Sequence, residues 1–442
     1  MKTYGVIMAG GGGTRFWPLS TKAEPKQFLN LSGKDILVNE TIDRQHGLMA
    51  REDIFIVTNE SQAGLMLERT AGRVAEDHIL AEPAARNTAA CIGYAAMEIL
   101  HKYGDGVMCI FAADAYIRDE KEYTRVMKEA VRAVEETDAL VTVGIRPTFP
   151  STGYGYIRSV EEAGKVWRRV EEFVEKPDLA TAKAYVDAGC YAWNSGMFIW
   201  KASTILRYFK ELLPDVYACL ERIGEAMGTD REQEVLHEVY PEIPKISVDY
   251  GIMERAKGVL MLEGDFGWND VGSWDTLDAV RKRDEAGNIS EGDTLLLDAK
   301  NCVVYGTDKL VCGIGVEDLV IVEGKSAILV CPVSQAQRVK EAVEPPALRR
   351  AVALPLPGGL AASGAGLAHR EFGSNAAGLS GAHDARSNSH VLRRAQTSPG
   401  HHAGQSSIIC KFSFARQSPD AASPPAEGAR RHGAEPDVSA EP

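Results

Sequence analysis

At 442 residues the chain has room for two or three domains, and 45% hydrophobic with 25% charged residues is the composition of an ordinary globular protein. A formal net charge of −13 excludes general nucleic-acid binding, so any phosphate chemistry belongs to a local site. No apolar run approaches a membrane span, the N-terminal run does not read as a signal peptide, and the eight scattered cysteines show no C-x-x-C pair. Cys91 and Cys109 sit in apolar stretches and read as buried thiols, so the expected location is a reducing cytoplasm.

The first predicted element is a short apolar strand, Tyr4 to Ala9, which runs directly into Gly10-Gly11-Gly12-Gly13-Thr14-Arg15. Consecutive glycines let a backbone turn with positive φ and present its N–H groups as a concave anion site. Arg15 and Lys26 add fixed positive charge beside it, which describes a polyphosphate site. The loop lacks the Gly-Lys-Ser/Thr ending of a P-loop, and Phe16 and Trp17 stand where a dinucleotide fingerprint needs its third glycine.

Further along, Ile54 to Val57, Val107 to Phe111 and Leu140 to Val143 read as buried strands. A helix is expected around Ser61 to Val74, and Ala89, Ile92, Ala96 and Leu100 recur at helical spacing. Continuous apolar strands parted by amphipathic helices predict an α/β, Rossmann-like domain over residues 1–285 with a mostly parallel sheet. Ligands then bind beyond the strands' carboxyl ends, where the Gly10 loop and Asp114 both fall. Residues 286–344 change to short apolar runs separated by Gly, Asp and Asn, a small β domain with tight turns, closed by a helical stretch from Ser334 to Val343. Pro345-Pro346 cuts that stretch, and residues 345–442 lack periodicity, Tyr and Trp, so they read as a low-complexity, disordered tail. Either a natural extension or a change of reading frame accounts for this palette, the second being favoured; His401-His402 reads as solvated.

The string from Gly10 to Phe28, with Trp17-Pro18-Leu19-Ser20 and Pro25-Lys26-Gln27-Phe28, resembles the signature of sugar-1-phosphate nucleotidyltransferases. Within them it is most similar to the mannose-1-phosphate guanylyltransferases. Glu82-Pro83-Ala84-Ala85-Arg86-Asn87-Thr88 matches another hallmark of that family, although Asn87 or Thr88 as a helix cap explains the segment structurally. Phe266 to Trp274 and the later segments follow in the family's order, and the resemblance ends near residue 343.

The resemblance implies transfer of GMP from GTP to α-D-mannose 1-phosphate with Mg²⁺, and a left-handed β-helix-like C-terminal domain that often joins subunits, hence a homodimer. It implies Arg15, Lys26 and Lys176 as catalytic groups and Asp114 and Asp270 as metal ligands. Ala9, Gly10, Gly11, Gly13, Thr14, Glu82, Asn87 and Thr88 would bind the nucleotide; Gly153, Tyr154, Gly155, Glu175, Asn194 and Asp249 would bind the sugar. Read without the family, Asp114 is a turn or cap residue, Glu175-Lys176 a surface ion pair, and the tyrosines packing groups. One departure stands out: Ala112 and Ala115 occupy positions where relatives usually have Pro and His. The rival readings are a related transferase with another sugar or nucleotide, and a non-catalytic GDP-mannose-binding regulator.

Overall fold

The computed structural model describes residues 1–343; the tail expected at residues 345–442 lies outside them. The first strand, β1 (Thr3–Met8), lies between β2 (Ile54–Asn59) and β4 (Val107–Ala112), and β3 (Ile79–Glu82) flanks β2. All three of these pairings are parallel, as the continuous Val/Ile-rich runs predict. The sheet continues through β5 (Val141–Ile145), β6 (Tyr156–Glu161), β7 (Arg168–Val174), β8 (Tyr191–Lys201) and β9 (Leu260–Gly264) in the order β3-β2-β1-β4-β8-β5-β9-β7-β6.

Here the structure corrects the mostly parallel expectation. β8 enters antiparallel between β4 and β5, and β6 and β7 form an antiparallel pair, so only β5–β9 is parallel in this half. The physical reason lies in the connections. A parallel neighbour needs a crossover of about a dozen residues or more, whereas β6 is joined to β7 by a short turn.

Helices cover both faces. α1 (Leu37–Arg44), α2 (Glu60–Arg69), α3 (Asn87–Tyr103) and α4 (Glu120–Thr137) lie in the first half, α5 (Leu179–Ala188), α6 (Ala202–Leu212), α7 (Pro214–Ala226) and α8 (Glu232–Val239) in the second. α2 stops at Arg69 rather than Val74: Thr70 Oγ1 bonds back to the Met66 carbonyl, and Gly72 adopts φ +76°, outside the helical region. Side chains alternate along each strand, so Val6, Phe55 and Val57 pack with α3, α6 and α7, while Ile7, Ile54 and Ile56 pack with α1 and α4. Cys91 and Cys109 are buried in these two layers, as expected.

A third core joins the glycine-loop segment to the small β domain. Phe16, Leu31, Val271 and Trp274 pack against Ile289, Val303, Tyr305, Val320 and Val322. The domain has β10 (Ile289–Glu291), β12 (Val303–Tyr305) and β14 (Leu319–Glu323) in parallel on one side, with β11 (Thr294–Leu297) parallel to β13 (Val311–Ile314) on another. β15 (Ile328–Pro332) closes the stack antiparallel to β14. Glu323, almost fully enclosed, accepts the amides of Thr307, Asp308 and Lys309 and pairs with the Lys309 ammonium, and these bonds hold its pKa down at about 2. The closing stretch is a 3₁₀ turn, Val333–Arg338, followed by α9 (Val339–Val343). No described helix is long and apolar enough to cross a membrane.

Candidate active site

The glycine loop leaves the end of β1. Gly13 has φ +53°, and a Cβ there would stand 2.2 Å from the Lys26 Cβ, so both conformation and space require glycine. A Cβ at Gly11 or Gly12 would meet nothing within 4 Å, so the loop is open around both, and Gly11 lines the adjoining cavity. Ser20 Oγ donates to Gly13 O at 2.5 Å and fixes the loop from behind. Thr14, Arg15, Lys26, Asp114 and Asp270 line a cavity of about 370 Å³ beside it.

A second cavity, of about 490 Å³, opens on the other side of the loop between Ala9, Gly10, Gly11, Glu82, Asn87 and Thr88. The Glu82 carboxylate is buried, accepts from Tyr240 Oη at 2.5 Å, and has its pKa raised by burial. Gly10 makes room for it, since a Cβ at that position would lie 3.1 Å from Glu82 Oε2. Asn87 is the first residue of α3, in the left-handed region at φ +69°, and its side chain accepts the adjacent Thr88 amide at 2.8 Å; the cap position falls at Arg86, with no side-chain cap bond, so, against expectation, neither Asn87 nor Thr88 caps the helix. Thr88 does something else: its Oγ1 accepts the Val248 amide at 2.9 Å, tying this turn to the segment that carries Asp249.

The two aspartates come from loops stitched together. Tyr116 and Asn269 exchange backbone hydrogen bonds of 2.8 and 3.0 Å, which sets the loop after β4 alongside the loop after β9. The Lys26 ammonium then donates to Asp114 Oδ2 at 2.7 Å and to the Asp270 carbonyl at 2.7 Å. Val271, next to Asp270, is fully buried at φ +44°, a strained conformation for a β-branched residue. It is held there by the Phe16–Trp274 core and by its amide donating to Asn269 Oδ1 at 2.7 Å. Among the described residues no cluster of three His, Cys, Asp or Glu side chains forms a closed metal cage. Two carboxylates facing one cavity instead suit a hard cation that completes its shell with substrate oxygens and water. Ala115 is buried and its carbonyl accepts from Arg44 Nη2 at 3.1 Å; Ala112 faces the cavities on either side.

A third cavity, of about 240 Å³, is lined by Gly153, Tyr154, Gly155, Glu175, Lys176, Asn194, Asp249, Trp268 and Asp270. Gly155 lets Glu175 approach, because a Cβ there would be 2.6 Å from Glu175 Oε2. Lys176 adopts φ +47° and its ammonium pairs with Glu175 Oε1. Asn194 Nδ2 donates to Asp249 Oδ1 at 2.9 Å. Burial first, and the neighbouring Glu175 second, push the Asp249 carboxyl up to about 6.

All the residues singled out in the sequence therefore border or support one connected surface. Asp114 is common to the first two cavities described, Asp270 to the first and third, and Thr88 to the second and third. Lys245, Gln27, Tyr240 and Trp268 also build it and were not foreseen as site residues. Gln27 and Trp268 lie inside motifs that were read, so motif membership could have signalled them; Tyr240 and Lys245 carry no local signal.

A glycine-rich loop, two carboxylates on one cavity and three adjoining cavities at the carboxyl ends of an α/β sheet are the setting of a nucleotidyl transferase. The Nucleotidyl transferase family model matches residues 4–287, and that of the MannoseP isomerase/GMP-like beta-helix domain matches residues 292–345. Mannose-1-phosphate guanylyltransferases of Salmonella montevideo and Escherichia coli are each 39% identical, over 350 and 345 residues, covering 77% of this chain and 73% of theirs. A solved structure described as a mannose-1-phosphate geranyltransferase from Thermus thermophilus shares 36% identity at a TM-score of 0.71, covering 78% of this chain and 98% of that one. The chain belongs to the mannose-1-phosphate guanylyltransferase family.

Proposed function

We propose that the protein transfers GMP from GTP to α-D-mannose 1-phosphate, giving GDP-mannose and pyrophosphate. The observation that carries this reading is the sharing of Asp114 and Asp270 among three adjoining cavities, of sizes suited to a nucleoside, a polyphosphate and a hexose phosphate. An oxygen of the sugar phosphate attacks the α-phosphorus in line, and pyrophosphate leaves from the opposite side. The attacking oxygen is already anionic near neutral pH, so positioning and charge neutralisation supply the catalysis.

Arg15 and the amides of the Gly10–Gly13 loop hold the β- and γ-phosphates. Lys26 steadies charge near the α-phosphate while tying the two aspartate loops together. Lys176 aims the sugar phosphate, and Glu175, Asn194 and Asp249 take sugar hydroxyls with the backbone of Gly153 and Gly155. Glu82, Asn87 and Thr88 face the base. Asp114 and Asp270 would hold Mg²⁺, which when bound neutralises developing phosphate charge.

The same reading divides the chain into a catalytic domain over 1–285, a left-handed coil over 286–344 and a tail, and makes the protein a cytoplasmic homodimer. Seven free cysteines among the described residues support the reducing compartment. Exposed Leu295, Leu297, Ile314, Ile328 and Val330 on the small β domain support association through it. The test is pyrophosphate release measured across GTP, ATP, UTP and dTTP with mannose 1-phosphate or glucose 1-phosphate. GTP with mannose 1-phosphate is expected to be fastest; equal turnover with UTP or dTTP would overturn the guanylyl assignment.

A further inference from the structure

Tyr154 stands at the junction of two functions. Its ring borders the third cavity and packs edge-on against Trp193 and Trp268, with centroids 5.0 and 5.2 Å away. Phe149 closes the cluster at 6.3 Å. Its hydroxyl leaves the apolar cluster and donates to Asp270 Oδ1 at 2.8 Å, across 116 residues of sequence. The Asp270 carboxylate lies over Gly272, where a Cβ would stand 3.0 Å from Oδ2 and 3.3 Å from Oδ1, and both residues line the first cavity described. The tyrosine therefore holds one oxygen, Oδ1, of a carboxylate that borders both the first and the third cavity.

We propose that Tyr154 is a positioning residue for the Asp270 carboxylate: its hydroxyl fixes the rotation of that group so that one defined oxygen is presented for the metal. The inference rests on the metal-assisted reading above and deepens it. The carboxylate sits on a loop that needs such support. Its neighbour Val271 is strained at φ +44°, and the loop's other restraints, Lys26 on the Asp270 carbonyl and Asn269 on the Val271 amide, hold backbone and leave the side chain free to turn. A hydrogen bond donated to a metal-bound carboxylate orients it and sets its basicity, and losing such a bond typically weakens metal binding by about 10- to 100-fold. The arrangement also couples the sites. Tyr154 belongs to the Gly153–Gly155 turn, so ordering that turn around a sugar phosphate orders the metal ligand in the same step.

The variant is Tyr154→Phe, which keeps the ring and its contacts with Trp193 and Trp268 and removes only the hydroxyl. Mn²⁺ is titrated into the nucleotide-free protein and followed by loss of the free-ion EPR signal, alongside a thermal melt. The expected result is Mn²⁺ affinity reduced by about 10-fold or more in Tyr154→Phe, with the melting temperature little changed. In an Asp270→Asn background the same substitution should add no further loss, because the hydroxyl acts only through that carboxylate. Equal Mn²⁺ affinity in wild type and Tyr154→Phe, or an undiminished loss in the Asp270→Asn background, would overturn the proposal. Failure of the wild type itself to bind Mn²⁺ would instead overturn the metal reading on which it rests.

Discussion

Replacing Asp249 by Asn should remove a pH-dependent destabilisation of the folded protein. The carboxyl stands beside Glu175, Lys176 and Asn194; burial and the Glu175 charge raise it from 3.8 to about 6, against the smaller opposing effects of Asn194 and Lys176. A folded-state pKa above the unfolded one means that the native state binds more protons between those values, so stability falls as pH rises through that window and is level above it. A rise of this size corresponds to on the order of 3 kcal/mol at neutral pH. About 1.4 kcal/mol of this is lost between roughly pH 5 and pH 8, because the unfolded carboxyl is already ionised at the lower value while the folded one is not. Asparagine keeps the shape and can still accept from Asn194 Nδ2. Chemical denaturation of both proteins at the two pH values should therefore show the variant gaining about 1.4 kcal/mol on the wild type as pH rises. A difference independent of pH would refute the argument.

Two further outcomes follow from the geometry. Gly13→Ala forces a Cβ to within 2.2 Å of the Lys26 Cβ and 2.8 Å of its backbone nitrogen at φ +53°, so left-handed strain and overpacking together should cost about 2–4 kcal/mol; a melting temperature equal to wild type would contradict this. Lys176 is 56% exposed, so Lys176→Ala should leave the melting temperature unchanged while raising the KM for mannose 1-phosphate by roughly 10- to 100-fold, the loss of one charge-assisted phosphate contact. A drop in kcat at constant KM would reassign that side chain.

Much of this architecture could be read from local pattern. The runs at Ile54, Val107 and Val141 are mostly apolar because both faces of their strands are covered, and that signal survives without any tertiary information. The antiparallel half was harder. β7 alternates Arg, Val, Glu and Phe as a half-exposed strand does, and β8 carries Asn194-Ser195-Gly196 in its middle, where polar residues and a glycine at φ +73° interrupt the apolar signal. Those residues are there because the strand crosses the third cavity; the feature that hid the strand is the one that builds the site. The side-chain partners were invisible for a different reason. Lys26 and Asp270 are 244 residues apart, and Tyr154 and Asp270 are 116 apart, so nothing within a sequence window could pair them. Glu82 was foreseen as a nucleotide contact, but its burial under Tyr240 depends on packing between α3 and the segment after α8.

The strand order also bears on how the protein is made. β4 lies inside the finished sheet, between β1 and β8, and its side chains from Val107 to Phe111 are 0–2% exposed. Its outer partner spans Tyr191–Lys201, and β5 has as neighbours only β8 and β9. On the ribosome, β4 therefore emerges with an uncovered hydrogen-bonding edge and waits roughly five to twenty seconds for the strand that will pair with it. An apolar, unpaired strand edge is a template for joining other chains. A product cut short before Tyr191 is not a smaller enzyme with half a site but a sheet left open along its most apolar seam, and a nascent chain must be shielded there until β8 arrives.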